Sequence, residues 1–308
     1  MELFHTDLAL ELQEELAESQ SEETEGYTVQ TRGRQGGSCK ETVIHIKDER
    51  GERLFGKPEG VYITLEGEDL AKNDGGYHEG MSRLLAEHME TLLRGKENIL
   101  FAGLGNVEVT PDALGPLVID NLFVTGHLSK MVVFKGMKHS YAIRPGVMAQ
   151  TGMETGQILQ AVAEKIRPDA IVLIDALAAK TYERLYCTIQ ISDSGLVPGA
   201  GVGNRREEIS ERTMGIPVIS LGIPTVISLP ALAGDILSSF WEAEEEKEGR
   251  VPFDSWSERE KYRYMAQKLP SRLFSLMVTP KEVDEAVKRI GYTISEGLNQ
   301  VIARRSQS

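Results

Sequence analysis

Residues 151–175 read TGMETGQILQAVAEKIRPDAIVLID, and this run decides the fold. Ile158, Leu159, Val162, Ala163 and Ile166 recur at the spacing of one helical face. Pro168 ends that helix, because proline lacks the N–H that the ladder needs and restricts the residue before it. AIVLI (170–174) follows as a short continuous apolar run, the pattern of a strand covered on both faces. A helix feeding such a strand is the repeating unit of an α/β fold.

The neighbouring segments extend the pattern. NILFAGLG (98–105) is a second apolar strand, ending in glycines, and a helix near 77–94 precedes it with Met81, Leu84, Leu85, Met89, Leu92 and Leu93 on one face. Pro116 cannot lie deep in a helix that began at Pro111, so TPDAL (110–114) reads as a separate turn and the next helix starts at Pro116. MVVFK (131–135) reads as a strand, as do YCTIQIS (186–192) and IPVISLGIPTVI (216–227), which form a pair. Residues 41–67 read as two strands around a polar turn, and 279–303 as a long terminal helix. LALELQEEL (8–16) has helical spacing, but TRGRQGGSCK (31–40) is flexible by composition, so residues 8–40 are expected to be a flexible N-terminal segment. Residues 241–262 are expected to be a charged surface insertion. The expected fold is a single α/β domain with a central mixed, largely parallel sheet flanked by helices, plus an N-terminal hairpin.

Composition narrows the function. The chain has 308 residues, 41% of them hydrophobic, and a formal net charge of −13. Such a surface repels phosphate backbones, which argues against direct nucleic-acid binding. The two cysteines, Cys39 and Cys187, form no disulfide framework and fit a reducing compartment. No apolar run reaches the length of a membrane span, and the first residues lack the regions of a signal peptide, so the expectation is a cytoplasmic protein without membrane contact.

Two aspartates stand where α/β sheets collect reactive groups, at the carboxyl ends of strands. Asp112 lies in the loop after the strand 98–103, and Asp175 follows the strand 170–174 directly. If those strands are neighbours, the two carboxyls meet across the crevice and can share a proton, one activating water while the other donates. The plainer alternative is that each only caps a turn. The GLGN turn (103–106) lacks the third glycine and the helix of a dinucleotide fingerprint, and GLVPGAGVGNRREE (195–208) lacks the Lys-Ser/Thr of a P-loop. Gly103, Gly105 and Asn106 of the first, with Gly201 and Gly203 of the second, are candidates for contact with substrate, the second stretch reading first as a flexible loop and otherwise as a site for an anion or a substrate main chain. The histidines are scattered, and His88, beside an apolar helix face, reads as a packed residue rather than a ligand. Cys187 reads as an inert thiol, Ser140 with Lys180 is a dyad only by arbitrary pairing, and no Gly-x-Ser-x-Gly elbow is present.

Three stretches in order, GLGNVEVTPDALGP (103–116), LIDALAAK (173–180) and SDSGLVPGAGVGNRR (192–206), resemble the spore germination proteases of endospore-forming bacteria. The resemblance implies an aspartic-type endopeptidase, unrelated to pepsin, that degrades small acid-soluble spore proteins in the spore core. It also implies a self-processing zymogen and a homotetramer. The implied fold is similar to that of hydrogenase maturation peptidases, in which Asp112 takes the place of a glutamate and Asp175 that of a strand-end aspartate. Those relatives add a histidine to hold nickel; none follows Asp175 here, so a metal-free site without cofactor is expected. Thr6-Asp7-Leu8-Ala9-Leu10-Glu11 resembles the family's substrate motif, a hydroxyl, an acid, an apolar residue, alanine, any residue and an acid. The implied cut lies between Asp7 and Leu8, giving a propeptide of residues 1–7 and a peptidase domain of residues 8–308. Without the resemblance, Thr6 is an ordinary helix N-cap. Asp112, near a helix N-terminus, is expected to be the ionised base, and Asp175, desolvated on a buried strand, the acid. The rival expectations are a non-catalytic binding module for the same spore proteins and a metal-dependent peptidase.

Overall fold

A computed structural model describes residues 6–18, 25–34, 38–67, 70–72, 74–128, 137–202, 206–245, 258–273 and 275–304. In chain order the elements are α1 (Ala9–Glu18), β1 (Tyr27–Arg34), β2 (Cys39–Ile46), α2 (Glu49–Phe55), β3 (Gly60–Gly67), α3 (Gly75–Leu92) and β4 (Asn98–Gly103). Next come α4 (Leu114–Asp120), β5 (His139–Ile143), α5 (Met148–Thr151), α6 (Thr155–Ile166), β6 (Ala170–Ala179) and β7 (Thr188–Ser192). The chain then continues through α7 (Glu211–Met214), β8 (Val218–Ser228), α8 (Leu229–Glu245), α9 (Glu258–Lys268), β9 (Met277–Val278) and α10 (Val283–Ala303).

The apolar run 170–174 becomes the middle of β6, buried along its length, with β4 parallel on one side and β8 parallel on the other. The strand order is β1-β2-β3-β7-β8-β6-β4-β5, and β9 pairs with β8. One face is covered by α3, α4 and α10, which lay Met81, Leu85, Met89, Ile290, Ile294 and Leu298 against Phe101, Val172 and Ile174. On the other face Leu159 of α6 packs with Leu100, Ile171, Leu173 and Val218. Each of these fully buried side chains contributes about 1.5–3 kcal/mol through removal from water, which is why the two-faced apolar strand could be read as central. Among the described residues no helix is long and apolar enough to cross a membrane.

The fold is the expected single α/β unit with a mixed sheet, with four differences. The parallel part comprises β8, β6, β4 and β5, while β1, β2, β3, β7 and β9 join antiparallel, so the parallel share is smaller than expected. Residues 31–34 and 39–40, expected to be flexible, are strand residues of a hairpin. Arg32 and Arg34 of β1 reach the buried Glu41 of β2, which also meets His88 of α3. His88 is thus a packed residue, as expected. The polar turn expected inside 41–67 holds α2, started by Asp48, whose carboxylate accepts from the N–H groups of Arg50 and Gly51, and closed by Gly56 at φ 59°. Finally β6 does not stop before Asp175 but continues to Ala179, because β8 runs beside it that far. The expected strand 131–135 lies outside the described residues. Of the charged stretch 241–262, residues 241–245 continue α8 and 258–262 begin α9, and the residues between lie outside the described ones.

Candidate active site

The site begins where β4 ends. Gly103 is the last residue of β4, in register with Ile174 of β6, and the N–H of Leu104 still donates to the Ile174 carbonyl at 2.8 Å. The chain then turns at Gly105, whose φ of +103° excludes a side chain and whose surface lies against the Asp112 backbone. Thr110–Asp112 forms a single 3-10 turn of its own, as expected, but α4 begins at Leu114 rather than at Pro116, which sits in its first turn where a proline N–H is not needed. That turn is pinned by the buried Thr225 of β8, whose hydroxyl donates to the Pro111 carbonyl at 2.7 Å. The Asp112 carboxylate accepts from the Asn106 N–H at 2.7 Å, so the GLGN turn orients the aspartate that follows it.

Asp175 is the first residue of β6 beyond the end of β4, paired across from Gly222 of β8. Its side chain accepts from the Ala176 N–H at 2.9 Å and is otherwise sequestered, the residue being only 8% exposed. Burial pushes the Asp175 carboxyl well above the usual carboxylate range, and the nearby carboxylates of Asp112 and then Asp7 push it further. Asp112 is also raised, by burial, with the Asn106 N–H pulling the other way. The expectation that a helix N-terminus keeps Asp112 ionised is therefore corrected in direction: desolvation outweighs the two-turn α4, which starts only beyond Ala113. The two carboxyls are thus raised together, Asp175 in part by Asp112, a condition under which such a pair can hold one proton between them.

A cavity of about 1150 Å³ joins the pair to the start of the chain, with Thr6, Asp7, Lys57, Asp112, Asp175 and Gln190 among its walls. The Asp7 N–H donates to the Ala178 carbonyl at 3.3 Å, and the Ala178 N–H donates to the Asp7 carboxylate at 2.9 Å, so residue 7 adds itself to the upper edge of β6. The Asp7 carbonyl accepts from Lys57 Nζ at 3.0 Å and from Gln190 Nε2 at 2.7 Å. Gln190 Oε1 accepts from the Ala9 N–H at 2.6 Å. Leu8, Ala9 and Leu10 are buried. Glu11, 2% exposed, accepts from the N–H groups of Lys180 (2.9 and 3.1 Å) and Thr181 (3.2 Å) and from the Thr6 hydroxyl. Burial outweighs those bonds and raises its carboxyl to about 7.

The structure thus brings together Asp112, Asp175, Asp7, Leu8, Gly105 and Gly201. A Cβ on Gly201 would stand 2.0 Å from the Asp7 carboxylate, so that glycine is the floor on which the acid rests. Gly103 and Asn106 shape the turn instead: Gly103 admits the Gly115 backbone of α4, and Asn106 holds Asp112. Gly203 lies outside the described residues. Ser140 binds Thr125 and the Phe123 carbonyl while Lys180 pairs with Glu15, so the two are not brought together. Among the described residues no group of three or more His, Cys, Asp or Glu side chains is placed to hold a metal ion. Lys57 and Gln190 were missed. They come from the end of α2 and from β7, with no motif around either, and only the chain's return to the sheet edge reveals them.

A family model and relatives matched over most of the chain point to one family. A profile of the germination protease family matches residues 4–250. Germination protease from Caldanaerobacter subterraneus subsp. tengcongensis is 39% identical over 304 residues, 96% of this chain and 92% of the relative. The germination proteases of Clostridium tetani and Bacillus cereus are 40% and 36% identical, each over 96% of this chain and 94% and 93% of their own. Among solved structures, a NiFe hydrogenase maturation protease, HycI, from Thermococcus kodakarensis matches 45% of this chain and 80% of its own at 19% identity, with a TM-score of 0.30.

Proposed function

Because the chain belongs to the germination protease family, we propose that it is a spore endopeptidase made as a zymogen, which cuts itself between Asp7 and Leu8 and then cuts small acid-soluble spore proteins. The observation that carries this reading is that Thr6 and Asp7 line the same cavity as Asp112 and Asp175, with the Asp7 carbonyl accepting from Lys57 and Gln190. The first residues of a segment with the pattern of the substrate thus lie beside the two carboxyls, which supports the reading. Its first acid rests on Gly201 and Ala178, and its second on the Lys180 and Thr181 amides.

The proposed chemistry uses one proton shared by the two carboxyls. The carboxylate of the pair takes a proton from water as the water attacks the Asp7 carbonyl, and the protonated partner delivers a proton to the departing Leu8 nitrogen. Burial and the charge of both neighbours favour Asp175 as the protonated member. Asp112, less buried and held by the Asn106 N–H, is the base. Propeptide 1–7, peptidase domain 8–308, a homotetramer and residence in the spore core complete the proposal. The test is digestion of a purified small acid-soluble spore protein, with the fragment ends mapped by mass. Cuts after the first acid of each Thr-acid-apolar-Ala-x-acid motif are expected. An intact protein, or cuts at unrelated sites, would remove the substrate assignment.

A further inference from the structure

The proposed cut has a carbonyl, and the structure surrounds it. Asp7 O is met by two side-chain donors from separate elements, Lys57 Nζ at 3.0 Å and Gln190 Nε2 at 2.7 Å. Resting on the self-cleavage reading above, we infer that Lys57 and Gln190 form the oxyanion hole of this peptidase, and that the same pair receives the scissile carbonyl of its protein substrates.

Both residues are built for the position. Gln190 of β7 pairs with Gly222 of β8, and Gly222 pairs with Asp175 of β6, so the three share one row across three adjacent strands. Directly paired residues project from the same face, and two strand spacings separate Asp175 from Gln190 by about 10 Å at the backbone. Gly222 between them carries no side chain, and the Leu177 side chain packs against it, where a Cβ would lie 2.7 Å from Leu177 Cγ. Gln190 is fixed at both ends, its oxygen accepting from the Ala9 N–H at 2.6 Å while its nitrogen donates to Asp7, so it reads the two peptide units flanking Leu8 and cannot swap its amide ends. Lys57 is delivered by the left-handed Gly56 that closes α2. Burial lowers the pKa of its amine, and the Asp7 and Glu11 carboxylates pull the other way. Two side-chain donors, an amine and an amide, aimed at one carbonyl oxygen suit an oxygen that gains charge.

The step balances. A water oxygen bonds to the Asp7 carbonyl carbon, its proton passes to the carboxylate of the pair, and the carbonyl π electrons move onto oxygen. Lys57 and Gln190 hold that oxyanion by their existing hydrogen bonds. When the carbonyl re-forms, the bond to Leu8 breaks and the leaving nitrogen takes the proton of the other carboxyl.

The experiment follows self-cleavage of the full chain by intact mass over time, for wild type, Lys57→Met, Lys57→Arg, Gln190→Met and Asp175→Asn, with circular dichroism of each. Removing one oxyanion donor typically costs 10²–10³ in rate, so Lys57→Met and Gln190→Met should each slow the cut by about 100-fold. Lys57→Arg, which keeps a charged donor, should recover part of that loss. If Lys57 instead locks the zymogen, Lys57→Met will cut faster, and that result overturns the inference, as does an unchanged rate in folded Lys57→Met and Gln190→Met. A wild type that never cuts at residue 7, or an Asp175→Asn variant that does, marks failure of the self-cleavage reading instead. Unfolded Met variants with a folded, wild-type-rate Lys57→Ala would also count against the role of Lys57.

Discussion

Glu11 and Asp175 are carboxylic acids whose folded environments resist ionisation, and each has a consequence that can be measured. Glu11 titrates near 7 in the folded chain against 4.5 for an ordinary glutamate. A raised carboxyl means that the folded state binds the proton more tightly, so the associated stability is full below about 4.5 and is lost as the pH rises toward 7. The displacement corresponds to on the order of 3 kcal/mol at one unit per 1.36 kcal/mol. Melting midpoints should fall between pH 5 and pH 7.5 in wild type, and the fall should shrink in Glu11→Gln, which stays neutral throughout; parallel falls in both proteins would refute the assignment. Asp112 and Asp175 were legible as a pair from their position after two apolar strands. The direction at Asp112 was not, because burial depends on Thr225 and Asn106 holding the turn inward, and no local pattern encodes that.

At the scale of elements, the junction of β4 with α4 rests on an absence of side chains. A Cβ on Gly103 would lie 2.3 Å from the Gly115 carbonyl oxygen, a backbone atom that cannot swing aside. Gly103→Ala should therefore cost about 1–3 kcal/mol of stability in urea unfolding, as overpacked cores do. An unchanged midpoint would show that α4 is free to shift. The docking of the β1–β2 hairpin on α3 has its own test. Glu41 is fully buried between Arg32, Arg34 and His88. Glu41→Ala should cost about 1–3 kcal/mol, less than a fully buried pair because Arg32 keeps its solvent. This hairpin was half legible. The range 41–67 marked β2, but the composition TRGRQGGSCK argued for a loop, and the arginines prove to be the partners of a carboxylate that no local pattern marks for burial. The seven residues of α2 were hidden for a related reason: a short, highly charged helix carries almost no apolar period, and only Asp48 before it and Gly56 after it announce it.

For the whole molecule, the formal charge of −13 sets which partners approach. A protease acting on proteins of the spore should meet them free of nucleic acid, because its own field opposes a phosphate backbone. No DNA affinity is expected at physiological salt by filter binding, and a micromolar complex would contradict this. The architecture was legible from residues 151–175 outward, since a two-faced apolar strand admits few surroundings. The return of residues 6–11 to the far end of the sheet was visible only as a motif match, because a contact between residues 7 and 178 has no local signature. That contact underlies the central claim, which one measurement reaches directly: intact mass of the full chain after incubation, for wild type beside Asp112→Asn and Asp175→Asn. The account predicts loss of residues 1–7 from wild type and a rate at least about 100-fold lower in both variants. Cleavage at the wild-type rate in either folded variant would contradict it.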